Sequence, residues 1–409
     1  MTTWPDRVAA WLTQRRIRAH TLLLAICLWG VCAVDFATLG PFDRAGNIKF
    51  QDSLPFYISA RLISEHRTAE LYNLRTIQRE VQDILQQPTR VRLTYLYPPH
   101  TALFFVPLTK LSFPVAARIW AALSLLIYLA CVLVVWKKCP SLRPTAAIVT
   151  VAALAFPPLF HTFIRGQFSP VILACLTVAF LALRADRPLL AGVALGFLAV
   201  KPSFLVAIPL ILLLAAAWRI LGGVFLSVIA QFAFTRLCFG ADVVNDYLNA
   251  LLHPSQWLGV AELNLAAIQM HSLRSFWMLL IPSSSLALAL YLLSSVVVIV
   301  LTVMIWKSSR PLAIRFSALL LAAALVNPHL FIYDLLVLAP IFLLLADWPL
   351  ENMNQQTPAV RILIYLSFIL PLFGPLSYWT HVQLSVIAFA ALLWTLFRTP
   401  ATHAPTMEN

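Results

Sequence analysis

The chain has 409 residues, 61% hydrophobic and only 11% charged, with a mean hydropathy of +0.85. An average soluble domain is about 25% charged; so few polar side chains cannot cover a water-soluble globule, which excludes that class and makes lipid the main solvent. The net charge of +13 would suggest nucleic acid in a soluble protein, so its meaning depends on where the basic residues fall.

Arg7, Arg15, Arg16 and Arg18 precede an apolar run over 20–39. The run is long enough to cross a membrane and ends without a small-x-small cleavage site, so it reads as a first membrane helix and not as a signal peptide. Next comes a long loop, 40–114, with two expected interfacial helices, one near Ser53 to Ser64 and one near Leu74 to Gln86. The second places Leu74, Ile77, Val81, Ile84 and Leu85 on one face and Arg75, Arg79, Glu80 and Asp83 on another, a pattern suited to a membrane surface. Such helices either roof a cavity or form a packing lid. Segment 98–112 is apolar too, but counting it as a crossing would put Lys137, Lys138 and Arg143 outside, so it is read as half-inserted or interfacial. Further crossings are expected over 115–136, 144–160, 168–184, 188–200, 202–217, 219–238, 283–306, 312–326, 329–346, 359–375 and 380–397, making twelve with the first. The two flanking Lys201 are short and together read as a tilted or broken pair. A second outer loop spans 239–282. The expected fold class is therefore all-α: one integral, polytopic membrane domain over 1–409.

The basic residues orient it. The N-terminus, 137–143, Arg184 with Arg187, Arg219, the Lys307, Arg310 and Arg315 turn, Arg361 and Arg398 share one side and hold 15 of the 29. The loop 40–114 holds nine, and Arg118, Arg165, Lys201, Arg236 and Arg274 remain. The short-loop bias predicts a cell inner (plasma) membrane protein with both termini cytoplasmic. Most of the +13 is then topology signal facing anionic lipid, and no nucleic-acid partner is needed. The six cysteines show no CxxC spacing and read as small core hydrophobes. Gly192 and Gly196 form a small-xxx-small pair suited to close helix packing.

Polar residues recur at the predicted outer ends of spans: Arg165-Gly166-Gln167, Lys201-Pro202, the stretch Asn264 to Arg274, and Asn327-Pro328-His329 with Tyr333 and Asp334. A lysine between apolar runs costs about 2.5 to 3.5 kcal/mol at the bilayer centre, so Lys201 either lies in an aqueous cavity, binds an anion, or snorkels to the interface. Asp334 raises the same question, with Arg165 or Lys201 as possible partners, and an ion pair that only assembles helices is the simpler account. The acids expected outside are Asp35, Asp43, Asp52, Glu65, Glu70, Glu80, Asp83, Asp242, Asp246, Glu262 and Asp334. Asp52 precedes Ser53-Leu54-Pro55 and reads either as a helix cap or as a carboxylate at a cavity mouth. There is no GxSxG, HExxH, P-loop or GxGxxG, and the nine histidines lack ligand spacing, so no metal or cofactor is expected.

Several segments occur together in order: Gln51-Asp52-Ser53-Leu54-Pro55-Phe56-Tyr57, Ala69-Glu70-Leu71-Tyr72, Tyr95-Leu96-Tyr97-Pro98-Pro99 with Pro107-Leu108, Gly166-Gln167, Ala191-Gly192 to Lys201-Pro202, Met270-His271-Ser272 with Arg274, and Asn327-Pro328-His329 through Tyr333-Asp334. This combination resembles glycosyltransferase family eighty-seven, membrane enzymes of the C-type glycosyltransferase architecture. The resemblance implies a polyprenyl-phosphate-linked sugar donor, mannose being the best known, inversion at the anomeric carbon, and no bound nucleotide. It also implies an acidic base in the first outer loop, Asp52 by position with Asp35 as runner-up. Ser53 and Ser203-Phe204 depart from the family's usual pattern. On this reading Lys201, with Arg165 and Arg274 as alternates, meets the donor phosphate. Tyr57, Tyr95, Tyr97, Gln167, His329 and Asp334 would contact sugar or lipid, and the acceptor is a lipid or glycan hydroxyl in cell-envelope or glycolipid synthesis. Competing readings are a transporter or lipid flippase, although no matching halves are visible, and a structural subunit of an envelope-assembly complex.

Overall fold

The computed structural model describes residues 4–86, 93–253, 267–351 and 358–400. Glu262 and Asn264 lie outside the described residues. Five helices are long and apolar enough to cross a membrane: Gln14–Phe36, Phe113–Trp136, Trp218–Phe239, Ser284–Lys307 and Pro358–Thr380. A sixth crossing is formed if Pro140–Leu154 and Pro157–Arg165, bent by 45° at their junction, count as one. The chain is an all-helical, multi-pass membrane protein, with no strand among the described residues.

Five of the other expected crossings are shorter apolar helices, Ser169–Arg184, Pro188–Val200, Pro202–Leu214, Leu312–Val326 and Leu384–Arg398, and the sixth, 329–346, is a 3-10 helix, Ile332–Leu338, that runs into the helix Ala339–Glu351. At 1.5 Å per residue most fall well short of the roughly 30 Å hydrocarbon core, and prolines at their first turns (Pro170, Pro188, Pro202) set where they begin. Hydropathy registers apolar surroundings without distinguishing protein from lipid, and length and composition together support five or six crossings among the described residues. Twelve of the 15 residues of Leu312–Val326 are buried, so this helix is central and its neighbours are other helices. In the long Ser284–Lys307 helix, by contrast, Leu288, Leu292, Leu293, Val296 and Val300 are exposed, as a lipid-facing stripe would be.

The glycine pair does pack backbones together. A Cβ on Gly192 would lie 1.9 Å from the Ile220 carbonyl oxygen, and one on Gly223 2.2 Å from that of Leu189. Pro188–Gly196 is thereby held flush against Trp218–Phe239. The cysteines are only partly core residues: Cys32, Cys131 and Cys139 are buried, Cys175 is half-buried, and Cys27 and Cys238 are exposed.

The segment between the first two long helices folds into a layer of its own. Both expected helices are present, at Leu54–Ser64 and Leu74–Leu85, and both pack their apolar residues into the protein core. Leu54–Ser64 is buried along nearly its whole length, and the apolar face of Leu74–Leu85 (Ile77, Val81, Leu85) joins the same core. Segment 98–112 forms two short 3-10 helices, Pro99–Phe104 and Val106–Lys110, too broken to cross. Glu80 does not belong to a solvated face, being only 6% exposed. Arg67 donates to it at 2.9 Å, with Arg61 at 3.8 Å. Arg67 also pairs with Glu65 at 2.8 Å and Glu70 at 2.9 Å, which ties the two helices and the turn between them into one network. Arg67→Ala leaves the Glu80 carboxylate buried with its nearest donor gone and is expected to lower stability by about 1 to 3 kcal/mol, measurable by thermal unfolding of the purified protein in detergent. Hydrogen bonds from Arg67 hold Glu65 and Glu70 below the usual carboxylate range. Their contribution is thus fully present above the unfolded carboxylate value and is lost as pH falls through the lower folded values, so the same melt should soften on acidification, and less so in Arg67→Ala.

Candidate active site

Two turns far apart in sequence form the site's upper part. The chain enters the first at Phe50, in the left-handed region at φ 54°, and continues as the single 3-10 turn Gln51–Ser53. The second closes the helix Pro157–Arg165 with Gly166 at φ 70°. A Cβ on Gly166 would lie 2.9 Å from Ser53 Cβ and 3.2 Å from Phe50 Cβ, so glycine is needed for both its conformation and the close approach. The Phe50 N–H donates to the Ile164 carbonyl at 3.2 Å and fixes the register. Ser53, one of the two departures from the family pattern, is the residue that packs on Gly166.

This docking delivers the side chains. Gln167 Nε2 donates to Asp52 Oδ2 at 2.6 Å, and Arg165 Nη1 reaches Gln51 Oε1 at 3.5 Å. Asp52 is half-buried rather than a helix cap: its carboxylate faces Gln167, and the Leu54–Ser64 helix has no side-chain cap. Burial pushes its carboxyl above the usual range, with Arg165, the Gln167 hydrogen bond and Lys201 pulling the other way. Gly166→Ala should force the two turns apart, and since the Asp52 to Gln167 bond depends on them, transfer should fall steeply while Gly222→Ala, at a glycine with open space around it, stays at wild-type rate.

Beneath this lies a second group. Lys201, at the joint between Phe197–Val200 and Pro202–Leu205, forms an ion pair with Asp334, which has no exposed surface. Ser169 Oγ donates to the Asp334 carboxylate at 3.2 Å, and the Phe331 N–H donates to its other oxygen at 3.2 Å. Lys201 Nζ also stands 5.2 Å from the centre of the Tyr333 ring, a distance at which the ring face attracts a cation. Of the two partners open to Asp334, the structure selects Lys201. Tyr97 and Tyr333 are each within electrostatic reach of both Asp52 and Asp334. Among the described residues no three His, Cys, Asp or Glu side chains converge as metal ligands would.

Residues 95–331 match the model of glycosyltransferase family 87, over half of the chain. The chain belongs to glycosyltransferase family 87. It is a membrane glycosyltransferase by that membership, and the transporter and structural-subunit readings fall away. No curated protein and no solved structure matches it. The matched segment contains Tyr95, Tyr97, Arg165, Gln167, Lys201, Arg274 and His329, whereas Asp52 and Asp334 lie outside it and are joined to this family 87 core by packing.

The other expected site residues are distributed as follows. Arg274 Nη1 donates to the Pro328 carbonyl at 3.3 Å, and His329 lies within electrostatic reach of both Arg274 and Lys201. The His329 N–H donates to Asn327 Oδ1 at 2.8 Å, and the His329 ring packs edge-on to Phe331. Tyr57 donates its hydroxyl to the Leu111 carbonyl at 2.7 Å and Tyr95 to that of Pro98 at 2.9 Å, so both phenols are engaged in holding the upper layer together. Asp35 sits in the last turn of Gln14–Phe36, beside Cys32. Ser169 and Tyr333 were not among the expected site residues. Ser169 follows Gln167 by two positions, and Tyr333 adjoins Asp334, so spacing within the quoted motifs was the available signal for each.

Proposed function

We propose that this family 87 protein moves a hexose, mannose in the first instance, from a polyprenyl-phosphate donor to a lipid or glycan hydroxyl at the extracytoplasmic face, with inversion. Asp52 is the base. The acceptor hydroxyl oxygen attacks the anomeric carbon, its proton passes to the Asp52 carboxylate, and the bond from the anomeric carbon to the phosphate oxygen breaks with its electron pair leaving on phosphate. Arg165 is better placed than Lys201 to meet that phosphate. Lys201 is neutralised by Asp334, whereas the guanidinium of Arg165, half-buried beside Asp52, has among the described residues the weak contact to Gln51 as its side-chain hydrogen bond and keeps donors for a charge-assisted, two-point bond. Lys201 and Asp334 then position the floor of the site, with Tyr97 and Tyr333 near both the pair and the base.

The observation that carries this reading is the half-buried carboxylate held by Gln167 next to an arginine of the same turn. The test is transfer from a synthetic polyprenyl-phosphate mannose by the purified protein in detergent, with the anomeric configuration of the product read by NMR. Inverted product formed without any nucleotide supports the proposal; product with retained configuration, or transfer only from a nucleotide sugar, overturns it.

A further inference from the structure

A cavity of about 450 Å³ lies away from the carboxylate and arginine cluster. Its mouth includes Gln14, the first residue of the 23-residue helix Gln14–Phe36, whose far end leads to the Asp52 turn. At 1.5 Å per residue those two ends are about 35 Å apart, so the cavity reaches the opposite end of that helix from the Asp52 turn. Its size falls within the range of about 300 to 1,000 Å³ usual for ligand pockets.

The walls are apolar and incompletely packed. Ala146–Leu154 contributes Ile148, Val149, Ala152 and Ala153 to the cavity, yet none of its nine residues is buried. Pro358–Ile369 contributes Ile364 and Phe368 and buries only Val360 and Ser367. Helices of a packed interior normally touch side chain to side chain with few voids; here both inward faces look into open volume of a size that a flexible hydrocarbon chain would fill. The mouth carries positive charge. Arg361 lines it, exposed, and spends one bond on the Leu12 carbonyl at 3.1 Å, which leaves further guanidinium donors. Arg15, Arg18 and Arg143 are exposed on the segments that form the rim. An apolar recess beneath a basic rim complements an anionic lipid, tail inward and phosphate at the arginine.

We propose that this cavity is a second lipid site, separate from the transfer site, which takes an acyl chain of an anionic glycerophospholipid and holds its phosphate at Arg361. The test is native mass spectrometry of the delipidated full-length protein in detergent micelles, titrated separately with phosphatidylglycerol, phosphatidylcholine and polyprenyl phosphate. Wild type is expected to retain phosphatidylglycerol at least tenfold better than the other two. Arg361→Gln, which removes a charge-assisted bond, should lower that retention about tenfold, and Ala152→Phe, which fills the recess, should remove it, both with unchanged melting temperature. Equal retention of phosphatidylcholine, preference for polyprenyl phosphate, or undiminished phosphatidylglycerol binding by Arg361→Gln would each overturn the proposal. Should Ala152→Phe not fold, Arg361→Gln decides it alone.

Discussion

Asp52→Asn should lower the transfer rate by about 10² to 10⁴-fold, the usual worth of a general base, while the protein melts as wild type does. Asparagine keeps the shape of aspartate and an oxygen that can still accept the hydrogen bond from Gln167 Nε2, so the docking of the two turns is retained and only the proton acceptor is lost. Asp35→Asn, in the last turn of the first long helix, should keep full activity; the reverse result would transfer the role of base to Asp35. The pH profile adds a second readout. The base works ionised, and burial pushes the Asp52 carboxyl above the ordinary carboxylate range. The acid limb of kcat/KM therefore lies at higher pH than a free carboxylate would give. A hydrogen bond to the ionised form favours it, so Gln167→Ala should move the limb to still higher pH. A residue that merely packed beside Asp52 would lower kcat and leave the limb in place.

The residues of the site were legible in the sequence more readily than their arrangement. Arg165, Gln167, Lys201 and Asp334 stood out because charged and amide side chains are rare in an apolar chain and must be satisfied where they occur. Their partners were not legible, since Asp52 and Gln167 are 115 residues apart and meet only because Gly166 lets one turn settle on the other. Glu80 was misplaced for a related reason. Its position on the polar face of an amphipathic helix is local information, whereas the Arg67 that covers it comes from the turn before that helix. The tyrosines show a third limit. A phenol looks available in sequence, but Tyr57 and Tyr95 donate to backbone carbonyls of irregular segments, and such carbonyls need donors wherever the chain leaves regular helix.

Lys201→Met is the substitution expected to destabilise most. It leaves the Asp334 carboxyl with no exposed surface and, among the described residues, the Ser169 hydroxyl and the Phe331 N–H as its remaining donors. Breaking a buried pair from one side costs about 3 to 5 kcal/mol, because the remaining charge is uncompensated. Asp334→Asn is expected to cost less. The lysine it leaves is at the edge of the buried region, 9% exposed, and keeps the face of the Tyr333 ring. The double variant Lys201→Met with Asp334→Asn removes both charges and should recover most of the loss, a non-additivity that identifies the pair as a unit. Thermal unfolding of the four proteins in one detergent measures it. If the double variant is instead as unstable as the sum of the single ones, the two groups do not compensate each other. The transfer rate separates assembly from chemistry. Lys201 and Asp334 join the Pro202 break to the segment that carries His329 and Tyr333, so a double variant of restored stability and reduced kcat would assign the pair to positioning the floor of the site, whereas an unchanged kcat would leave it an assembly contact between helices.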